Sequence, residues 1–369
     1  MRRTRTLAAA TAAAIAAALA LTPSALAQDQ ILLGADGTGG NIANTLQVLD
    51  PATGATLETI GDIGVSVTGL AEDPTTGILY GVTARLDLNY PAFLVRIDQT
   101  TGKATPIGSL RGDPTNTDPV NDITFTSDGT LYGWERTSND LVTIDKVTGL
   151  ATVVGDSGLN TFGNGIAADA TDTIWVAPRG DKEALYTVDR ATGAVTAGPT
   201  MSGVQGESIS ALAFDAAGAL FGAHVRTGSS SGAAQLININ TTTGLITPLG
   251  PSRGLDAIEF VDVSVVTLSL KANKKKVKKG KKVTLSGSVE AGTETACEAG
   301  QTVEILRKQK GERGFSPFKQ VTTDAGGAFR VKAKVKKPAT YSAEVSGPAV
   351  CADAASKNAK VKLKKPKRS

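Results

Sequence analysis

The sequence has few of the side chains on which enzymes most often depend. Its 369 residues include one histidine, His224, two cysteines and 4% aromatic residues. A metal-dependent hydrolase, or a lyase that pairs histidine with glutamate, needs several such side chains close together. The composition therefore favours a protein that binds rather than catalyses, with no resident cofactor and with an enzyme as the alternative.

Long apolar runs are also scarce, and the most prominent one lies at the N-terminus. Three arginines within residues 2–5 precede an Ala- and Leu-rich run at 7–21, and a small-x-small cleavage sequence follows. This pattern is typical of a secretory signal peptide, residues 1–27. We expect an extracellular or cell-surface protein, in which Cys297 and Cys351 form a disulfide.

Neither part of the remaining chain is balanced in charge. Residues 28–263 hold 11 Lys and Arg against 27 Asp and Glu, a net charge of −16, whereas residues 264–369 hold 25 against 8, a net charge of +17. The abrupt change predicts an acidic domain, 28–263, followed by a basic domain, 264–369.

A nine-residue pattern occurs five times in the acidic region. Each copy is an alternating apolar strand followed by Asp or Asn, Thr and Gly, and the copies end at Gly54, Gly102, Gly149, Gly193 and Gly244. The Asx side chain can accept backbone N–H bonds and glycine tolerates a positive φ, so the pattern predicts a tight turn. Successive Asx positions are 48, 47, 44 and 51 residues apart, as expected for four-stranded propeller blades.

Upstream of these turns lies a second hairpin, as in Gly69-Leu-Ala-Glu-Asp-Pro-Thr-Thr-Gly-Ile-Leu-Tyr-Gly81. Two hairpins supply four antiparallel strands per unit. The first unit lacks its opening strand, and an unpaired candidate, 257–260, follows the fifth turn, so we expect the two to combine and close a ring. Recurring aromatic residues are expected to pack between sheets rather than form a binding platform: Tyr80, Tyr132, Trp175 and Phe221.

These Leu-Tyr-Gly strands and Asp-x-x-Thr-Gly turns resemble those of secreted bacterial β-propellers, over about residues 31–260. The resemblance implies an all-β fold with a five-bladed β-propeller, or six blades as the alternative. It says little about function, because propellers include lyases, hydrolases, adhesins and scaffolds. The propeller lyases that inactivate cyclic peptide antibiotics depend on more than one histidine, and this chain departs from their pattern by having only His224.

Polar residues recur immediately before the predicted opening strands. They would surround the mouth of a central channel, on the face that carries the longer loops, where they could bind a cation, ordered waters or a sugar hydroxyl, or only cap the strands. These residues are Thr68, Asn121, Asn164, Ser210 and Asp256.

Four further ligand-binding candidates lie slightly farther out, at the ends of the second strands: Asp36, Thr83, Glu135 and His224. If the protein is an enzyme, we expect Glu135, His224 and Asp256 to share one pocket and to act as a hydrolase or lyase on an extracellular substrate.

The basic region predicts seven short strands, at 266–271, 282–289, 302–308, 318–322, 328–334, 340–345 and 359–363. Seven strands in about 100 residues indicate an immunoglobulin-like β-sandwich, and the region resembles the Ig-like modules of exported actinobacterial proteins. The disulfide would staple two loops at one end of this sandwich.

Lysine-rich runs flank the basic region at 271–282 and 360–368. Since the first and last strands of such a sandwich are neighbours, the runs would form one edge. That edge could bind anionic cell-wall polymer or polysaccharide, or only prevent aggregation between sheets. Nucleic acid is not an expected partner, because interleaved aromatic residues are missing. We therefore expect a non-enzymatic binding or adhesion protein, in which the propeller loops recognise a ligand and the basic domain makes a peripheral contact with the envelope.

Overall fold

The computed structural model describes residues 30–36, 44–111, 119–161, 165–178, 183–204, 208–225, 233–292 and 295–365. These residues form an all-β protein without α-helices, apart from one 3-10 turn at Thr295–Cys297. The predicted signal peptide, 1–27, lies outside the described residues. Within them, no helix has the length and apolar character needed to cross a membrane.

Twenty strands precede the basic region, and each predicted unit has four of them once the strand at 257–260 is counted with the first unit. In chain order they are β1 (Gln30–Asp36), β2 (Thr45–Leu49), β3 (Thr56–Asp62), β4 (Val67–Glu72), β5 (Leu79–Thr83), β6 (Phe93–Ile97), β7 (Ala104–Ser109), β8 (Val120–Phe125), β9 (Leu131–Glu135), β10 (Asp140–Ile144), β11 (Ala151–Asp156), β12 (Gly165–Ala168), β13 (Ile174–Ala177), β14 (Ala184–Val188), β15 (Val195–Thr200), β16 (Ser208–Phe214), β17 (Leu220–Val225), β18 (Ala233–Ile239), β19 (Ile246–Arg253) and β20 (Leu255–Asp262).

These strands form five antiparallel sheets of four strands each. Sheet 1 has the order β20-β1-β2-β3, and sheets 2 to 5 contain β4–β7, β8–β11, β12–β15 and β16–β19. The first strands of the sheets contact one another in a closed cycle, β20 to β4, β8, β12, β16 and back to β20. The arrangement is propeller-like, with these strands at the centre of a ring.

Sheet 1 joins the two ends of the acidic region. Strand β20 pairs antiparallel with β1, placing Gln30 opposite Asp262 and Leu33 opposite Glu259. The prediction that the strand at 257–260 completes the first unit is thus confirmed. Pairing the first strand with the last removes two exposed sheet edges.

The recurring Asx-Thr-Gly pattern forms the turn that the sequence predicts. At Asp98, the side-chain Oδ1 accepts the N–H groups of Thr100 at 2.8 Å and Thr101 at 3.1 Å. The Gly102 N–H donates to the Asp98 carbonyl at 2.7 Å. Gly102 has φ 78°, a conformation that costs glycine little.

Each turn also packs against the outermost strand of the preceding sheet. A Cβ added to Gly155 of β11 would lie 2.0 Å from the Thr192 carbonyl oxygen in the turn of sheet 4. Only glycine permits so close an approach of two backbones. Equivalent contacts join Gly61 to Thr101, Gly108 to Thr148, Thr200 to Gly244, and Gly250 of sheet 5 to Thr53 of sheet 1, completing a second closed cycle around the ring.

The recurring aromatic residues pack between sheets, as the sequence analysis expects. Tyr80 of sheet 2 lies 5.6 Å, centroid to centroid, from Phe125 of sheet 3. Phe221 of sheet 5 lies 5.0 Å from Phe260 of sheet 1. Trp175 makes the corresponding contact with Phe214. These rings therefore contribute to the apolar seams between sheets.

The basic region contains ten further strands in two sheets. They are β21 (Val266–Leu268), β22 (Lys271–Ala272), β23 (Lys276–Val277), β24 (Lys282–Ala291), β25 (Thr302–Gln309), β26 (Ser316–Thr322), β27 (Ala328–Lys334), β28 (Ala339–Val345), β29 (Ala354–Ala355) and β30 (Ala359–Leu363). One sheet holds β21, β24, β22 and β27, and the other has the order β23-β30-β28-β25-β26 with β29 beside β28. Apolar side chains of both sheets belong to one buried cluster.

All seven predicted strands of this region are present, with one interruption. The predicted strand 266–271 is divided into β21 and β22 at Ser269, whose N–H donates to the Ser288 carbonyl at 2.9 Å. The two-residue strands β23 and β29 were not predicted, because they are too short to show alternation.

The Cys297–Cys351 disulfide is present, and both cysteines are buried. It joins the 3-10 turn to the loop before β29. This loop also holds the junction between the two regions, because the Ser264 N–H donates to the Val350 carbonyl at 2.8 Å and the Ala352 N–H donates to the Ser264 carbonyl at 2.9 Å. The disulfide therefore fastens the start of the basic region as well as its loops.

Candidate functional site

Four of the predicted channel residues occupy one equivalent position in their sheets, but not the position that the sequence analysis gave them. Each is the extra residue of a β-bulge inside the innermost strand, not the residue before that strand. A bulge inserts one residue while pairing continues on both sides, and it redirects a side chain. The four residues, all half-buried, are Thr68, Asn121, Ser210 and Asp256; Asn164 lies outside the described residues.

The bulge residues differ in how their side chains are used. The Thr68 hydroxyl donates to the Val82 carbonyl at 3.5 Å, and the Ser210 hydroxyl donates to the Ala223 carbonyl at 3.3 Å. Both carbonyls belong to the next strand of the same sheet, so these hydroxyls support the bulge. Burial, and secondly the charge of Asp36, raise the pKa of Asp256 to about 6.

The four candidates at the ends of the second strands are buried and take part in local hydrogen bonds. Asp36 accepts from Gln47 Nε2 at 2.8 Å, and Glu135 accepts from the Ser138 hydroxyl at 2.9 Å. Thr83 donates to the Tyr90 carbonyl and accepts the Phe93 N–H at 2.8 Å, which closes the intervening loop.

The three residues of the enzymatic alternative are distributed over different sheets. Glu135 ends β9 in sheet 3, His224 lies in β17 of sheet 5, and Asp256 lies in β20 of sheet 1. Sheets 3 and 5 are separated by sheet 4 in the ring. His224 is fully buried, with Nδ1 3.4 Å from Gln235 Nε2.

The centre of the ring holds a carboxyl group that the sequence analysis missed. Asp122 of β8 is fully buried, and its Oδ2 accepts the Ile166 N–H at 2.9 Å and the Leu212 N–H at 3.2 Å. Its Oδ1 accepts the Ile123 N–H at 3.0 Å. Because sheets 3 and 5 are not neighbours, the bond to Leu212 crosses the centre, and Asp122 links three sheets.

Two successive layers of the innermost strands each contain one acid among small residues. The register places Asp122 level with Gly69, Gly165, Ala211 and Ala257. In the next layer, Glu259 is level with Ala71, Thr124, Ala167 and Ala213. In each layer the acid is the one large side chain. Aligning the five repeats therefore distinguishes both acids from the residues at equivalent positions.

The second acid is tied to the neighbouring sheet. Glu259 Oε1 accepts the Glu72 N–H at 3.2 Å, and Glu72 Oε2 accepts the Asp262 N–H at 3.2 Å. Burial raises the pKa of Glu259 well above its ordinary value, and the charges of Glu72 and Asp122 raise it further. Burial also raises the pKa of Asp122 well above its ordinary value.

A cation in the central channel stays a prediction. Among the described residues, no group of three or more His, Cys, Asp or Glu side chains is arranged to hold a metal ion. The oxygens of Asp122 already accept backbone N–H groups. Two of these hydrogen bonds, to Ile166 and Leu212, connect different sheets.

The two lysine-rich runs meet at one edge of the basic region. Strands β23 and β30 pair in parallel, with Lys276 opposite Lys362, and the Lys362 N–H donates to the Lys275 carbonyl at 2.9 Å. We call this surface the basic edge, and it consists of the exposed side chains of Lys274, Lys275, Lys276, Lys278, Lys279, Lys360, Lys362, Lys364 and Lys365.

A second basic surface is a cavity between the sheets of this region. It has a volume of about 700 Å³, and the described residues that line it include seven with a cationic side chain and none with an acidic one. We call it the basic cavity, and it is lined by Lys282, Arg307, Gln309, Phe318, Lys319, Lys332, Lys334, Val335, Lys336, Lys337, Ala339 and Tyr341.

No protein-family model and no curated protein matches the chain. Among solved structures, it is similar to a protein of unknown function from Bacteroides caccae, with 10% identity and a TM-score of 0.42, over 63% of this chain and 98% of that one. The extracellular domain of a putative hybrid two-component system from B. thetaiotaomicron shows 13% identity and a TM-score of 0.38, over 90% of this chain and 57% of that one. A putative 6-phosphogluconolactonase from Bacteroides fragilis shows 12% identity and a TM-score of 0.38, over 65% of this chain and all of that one (100%). Likenesses at this level assign no function.

Proposed function

We propose that this chain is an exported, non-enzymatic binding protein of the cell surface. Its acidic region would be a five-bladed β-propeller of the secreted bacterial type, and its basic region an immunoglobulin-like sandwich that tethers the protein to anionic envelope material. The closed ring of five four-stranded sheets and the two-sheet basic region support these assignments. The disulfide fits an oxidising, extracellular location.

The basic edge carries the tethering proposal. Nine exposed lysines lie on two adjacent short strands and the segments beside them. Within the described residues, no ion pair engages any of them. A dense set of unpaired charges attracts a polyanion, and ionic strength weakens the attraction.

Recognition of a further ligand is assigned to the rim of the propeller. In every described innermost strand except β12, a β-bulge redirects one polar side chain. Bulges often lie next to binding sites. Asp256 is the ionisable member of this set. A neutral polar ligand, such as a sugar hydroxyl, would suit the hydroxyl and amide groups of Thr68, Ser210 and Asn121.

Retention on an immobilised polyanion tests the tether. The chain from Gln28 onward would be applied to poly(glycerol phosphate) beads at low and at high ionic strength, with neutral dextran beads as the reference. An edge variant would carry Lys274→Gln, Lys276→Gln and Lys362→Gln. Since each lysine near an anionic surface contributes about 1 kcal/mol, the three substitutions together should cost about 3 kcal/mol and lower the affinity about 100-fold.

The matched control removes three exposed cations from the acidic region, Arg85→Gln, Lys103→Gln and Arg136→Gln. This variant should bind as tightly as the unmodified chain, because the lost charges lie away from the edge. Equal losses in both variants would show a response to net charge alone and would contradict the basic edge as the tether.

The enzymatic alternative, a hydrolase or lyase using Glu135, His224 and Asp256, stays a prediction. No observation favours it over binding: the three residues lie in three different sheets, and His224 is fully buried.

A further inference from the structure

The inner face of the second sheet of the basic region changes from apolar to polar along its length. Residues of β25 that alternate onto this face are first Val303 and Ile305, both fully buried, and then Arg307 and Gln309. The register confirms the direction, since Ile305 is opposite Ala343 and Arg307 is opposite the buried Tyr341. An arginine thus occupies a position that alternation assigns to the core.

The sandwich is open where these polar residues begin. The basic cavity lies between this sheet and the end of β27 in the other sheet, where Lys332 and Lys334 are among the residues that line it. Its volume of about 700 Å³ falls within the usual range for sites that bind small molecules. The opening exposes Arg307 to a space large enough for a ligand.

Arg307 is held in place without an anionic partner. Its Cζ lies 4.6 Å from the centroid of the Phe318 ring, which itself packs edge-on against Tyr341 at 5.8 Å. The Arg307 Nε is buried and has no hydrogen-bond partner among the described residues. No ion pair in the described part of the basic region engages Arg307 or the six cavity lysines. A buried donor without an acceptor costs free energy, and its retention calls for an explanation.

The geometry points to a ligand that supplies the missing acceptor. We propose that the basic cavity binds a tetrahedral oxyanion ester, a phosphate or sulfate group carried by a sugar or polyol. A guanidinium pre-oriented on an aromatic ring suits two-point contact with such a group. The lining lysines come from β24, β26, β27 and the segment after β27. A tetrahedral oxyanion can accept hydrogen bonds from more directions than a planar carboxylate can.

This inference does not depend on the tether, because the cavity lies on different strands from the basic edge. The edge attracts long polyanions by charge density, whereas the cavity would recognise one or two anionic groups. Short ligands therefore separate the two surfaces.

Titration calorimetry of the chain from Gln28 onward tests the cavity with four short probes: oligo(glycerol phosphate), sulfated dextran oligomers, oligoglucuronate and neutral dextran oligomers. We expect the phosphate or the sulfate probe to bind at least tenfold more tightly than oligoglucuronate, and the neutral probe not to bind. The stronger of the two identifies the ester. Equal affinity for oligoglucuronate would overturn the proposal, and so would binding to phosphatidylglycerol vesicles without binding to any soluble probe.

Two substitutions assign the binding to Arg307. Arg307→Gln removes the charge and the guanidinium, so the affinity for the preferred probe should fall at least tenfold. Arg307→Lys retains the charge but not the two-point contact, so the loss should be smaller, about threefold or more. Lys362→Gln, on the edge, should change the affinity less than twofold. If Arg307→Gln binds like the unmodified chain, Arg307 is not in the site.

Two measurements distinguish a loss of binding from a loss of the fold. Thermal unfolding should show that Arg307→Gln remains folded, since the change removes a buried donor that lacks an acceptor. In the unmodified chain, the NMR resonance of the Arg307 Nε–H should shift when the preferred probe is added. Saturation with probe without any shift would place the ligand elsewhere. A failed tether experiment would leave all these results unchanged.

Discussion

Asp122 provides the sharpest test of how the ring of sheets is held together. Its carboxyl group is the acceptor for two N–H groups that belong to other sheets, those of Ile166 and Leu212. Asp122→Ala removes this acceptor and introduces a side chain that the equivalent positions already tolerate, since Ala211 and Ala257 occupy them in two other sheets. The substitution thus removes hydrogen bonds without overpacking the centre.

The magnitude follows from the number of N–H groups left unpaired. Each buried donor without an acceptor costs about 1–3 kcal/mol, so the two bonds between sheets account for about 2–6 kcal/mol. Removing a carboxyl group whose burial raises its pKa recovers part of this cost. We expect Asp122→Ala to lower the free energy of unfolding by about 2–4 kcal/mol.

Tryptophan fluorescence measures this effect in the correct region. The chain has two tryptophans, Trp134 in sheet 3 and Trp175 in sheet 4, so urea unfolding followed by fluorescence reports on the acidic region alone. The control is Asp156→Ala, which removes an exposed acceptor of the Gly158 N–H and should cost less than about 1 kcal/mol. If Asp122→Ala unfolds at the urea concentration of the unmodified chain, the carboxyl group does not hold the sheets together.

Three further predictions concern pH, packing and the disulfide. The raised pKa of Asp256, about 6, means that the native state holds its proton longer than the unfolded state. The free energy of unfolding should therefore fall as the pH rises from about 4 to about 6. Asp256→Asn should remove this fall and raise the free energy of unfolding at pH 7 by about 1–2 kcal/mol. Urea titrations across this pH range measure both effects. Gly155→Ala would place a methyl group 2.0 Å from a carbonyl oxygen of the next sheet and should lower the midpoint of thermal unfolding by several degrees, whereas Gly314→Ala, which meets nothing within 4 Å, should change it little. Replacing Cys297 and Cys351 by serine should destabilise the basic region by about 4 kcal/mol, seen as faster tryptic cleavage there, while the fluorescence transition of the acidic region stays in place.

Local chemistry made much of the fold predictable from the sequence. The Asx-Thr-Gly pattern encodes a turn through hydrogen bonds that lie within five residues, so it survives any change in distant packing. The terminal strand at 257–260 was recognisable because it repeats the composition of the other innermost strands. Lysine alternation in the basic region likewise located all seven predicted strands.

The candidate site was less predictable, because it depends on register. A bulge moved Thr68 and its equivalents from the position before a strand to a position within it, and no local signal distinguishes the two. Whether Glu135 and His224 approach each other depends on the order of sheets around the ring. His224 is fully buried by packing between sheets. The residue type alone does not determine this burial.

Some informative residues were visible in the sequence as exceptions to a pattern. Asp122 and Glu259 are the acids at positions where the other repeats have small residues. Arg307 continues an alternation that begins with Val303 and Ile305. In each case the repeat or the alternation predicts an apolar residue or a small one, and the polar residue that replaces it marks a place where the structure needs hydrogen bonds or a ligand.

The distribution of these exceptions explains why binding is assigned to surfaces outside the centre of the ring. Asp122 and Glu259 each fill one layer of the innermost strands, and their oxygens accept backbone N–H groups of neighbouring and opposite sheets. A ligand entering these layers would have to break bonds that connect the sheets. The basic region differs: among the described residues, the buried Arg307 Nε has no acceptor, and no ion pair engages the lysines that line the basic cavity. There a ligand would add hydrogen bonds and remove none, which makes the basic cavity the more favourable binding site.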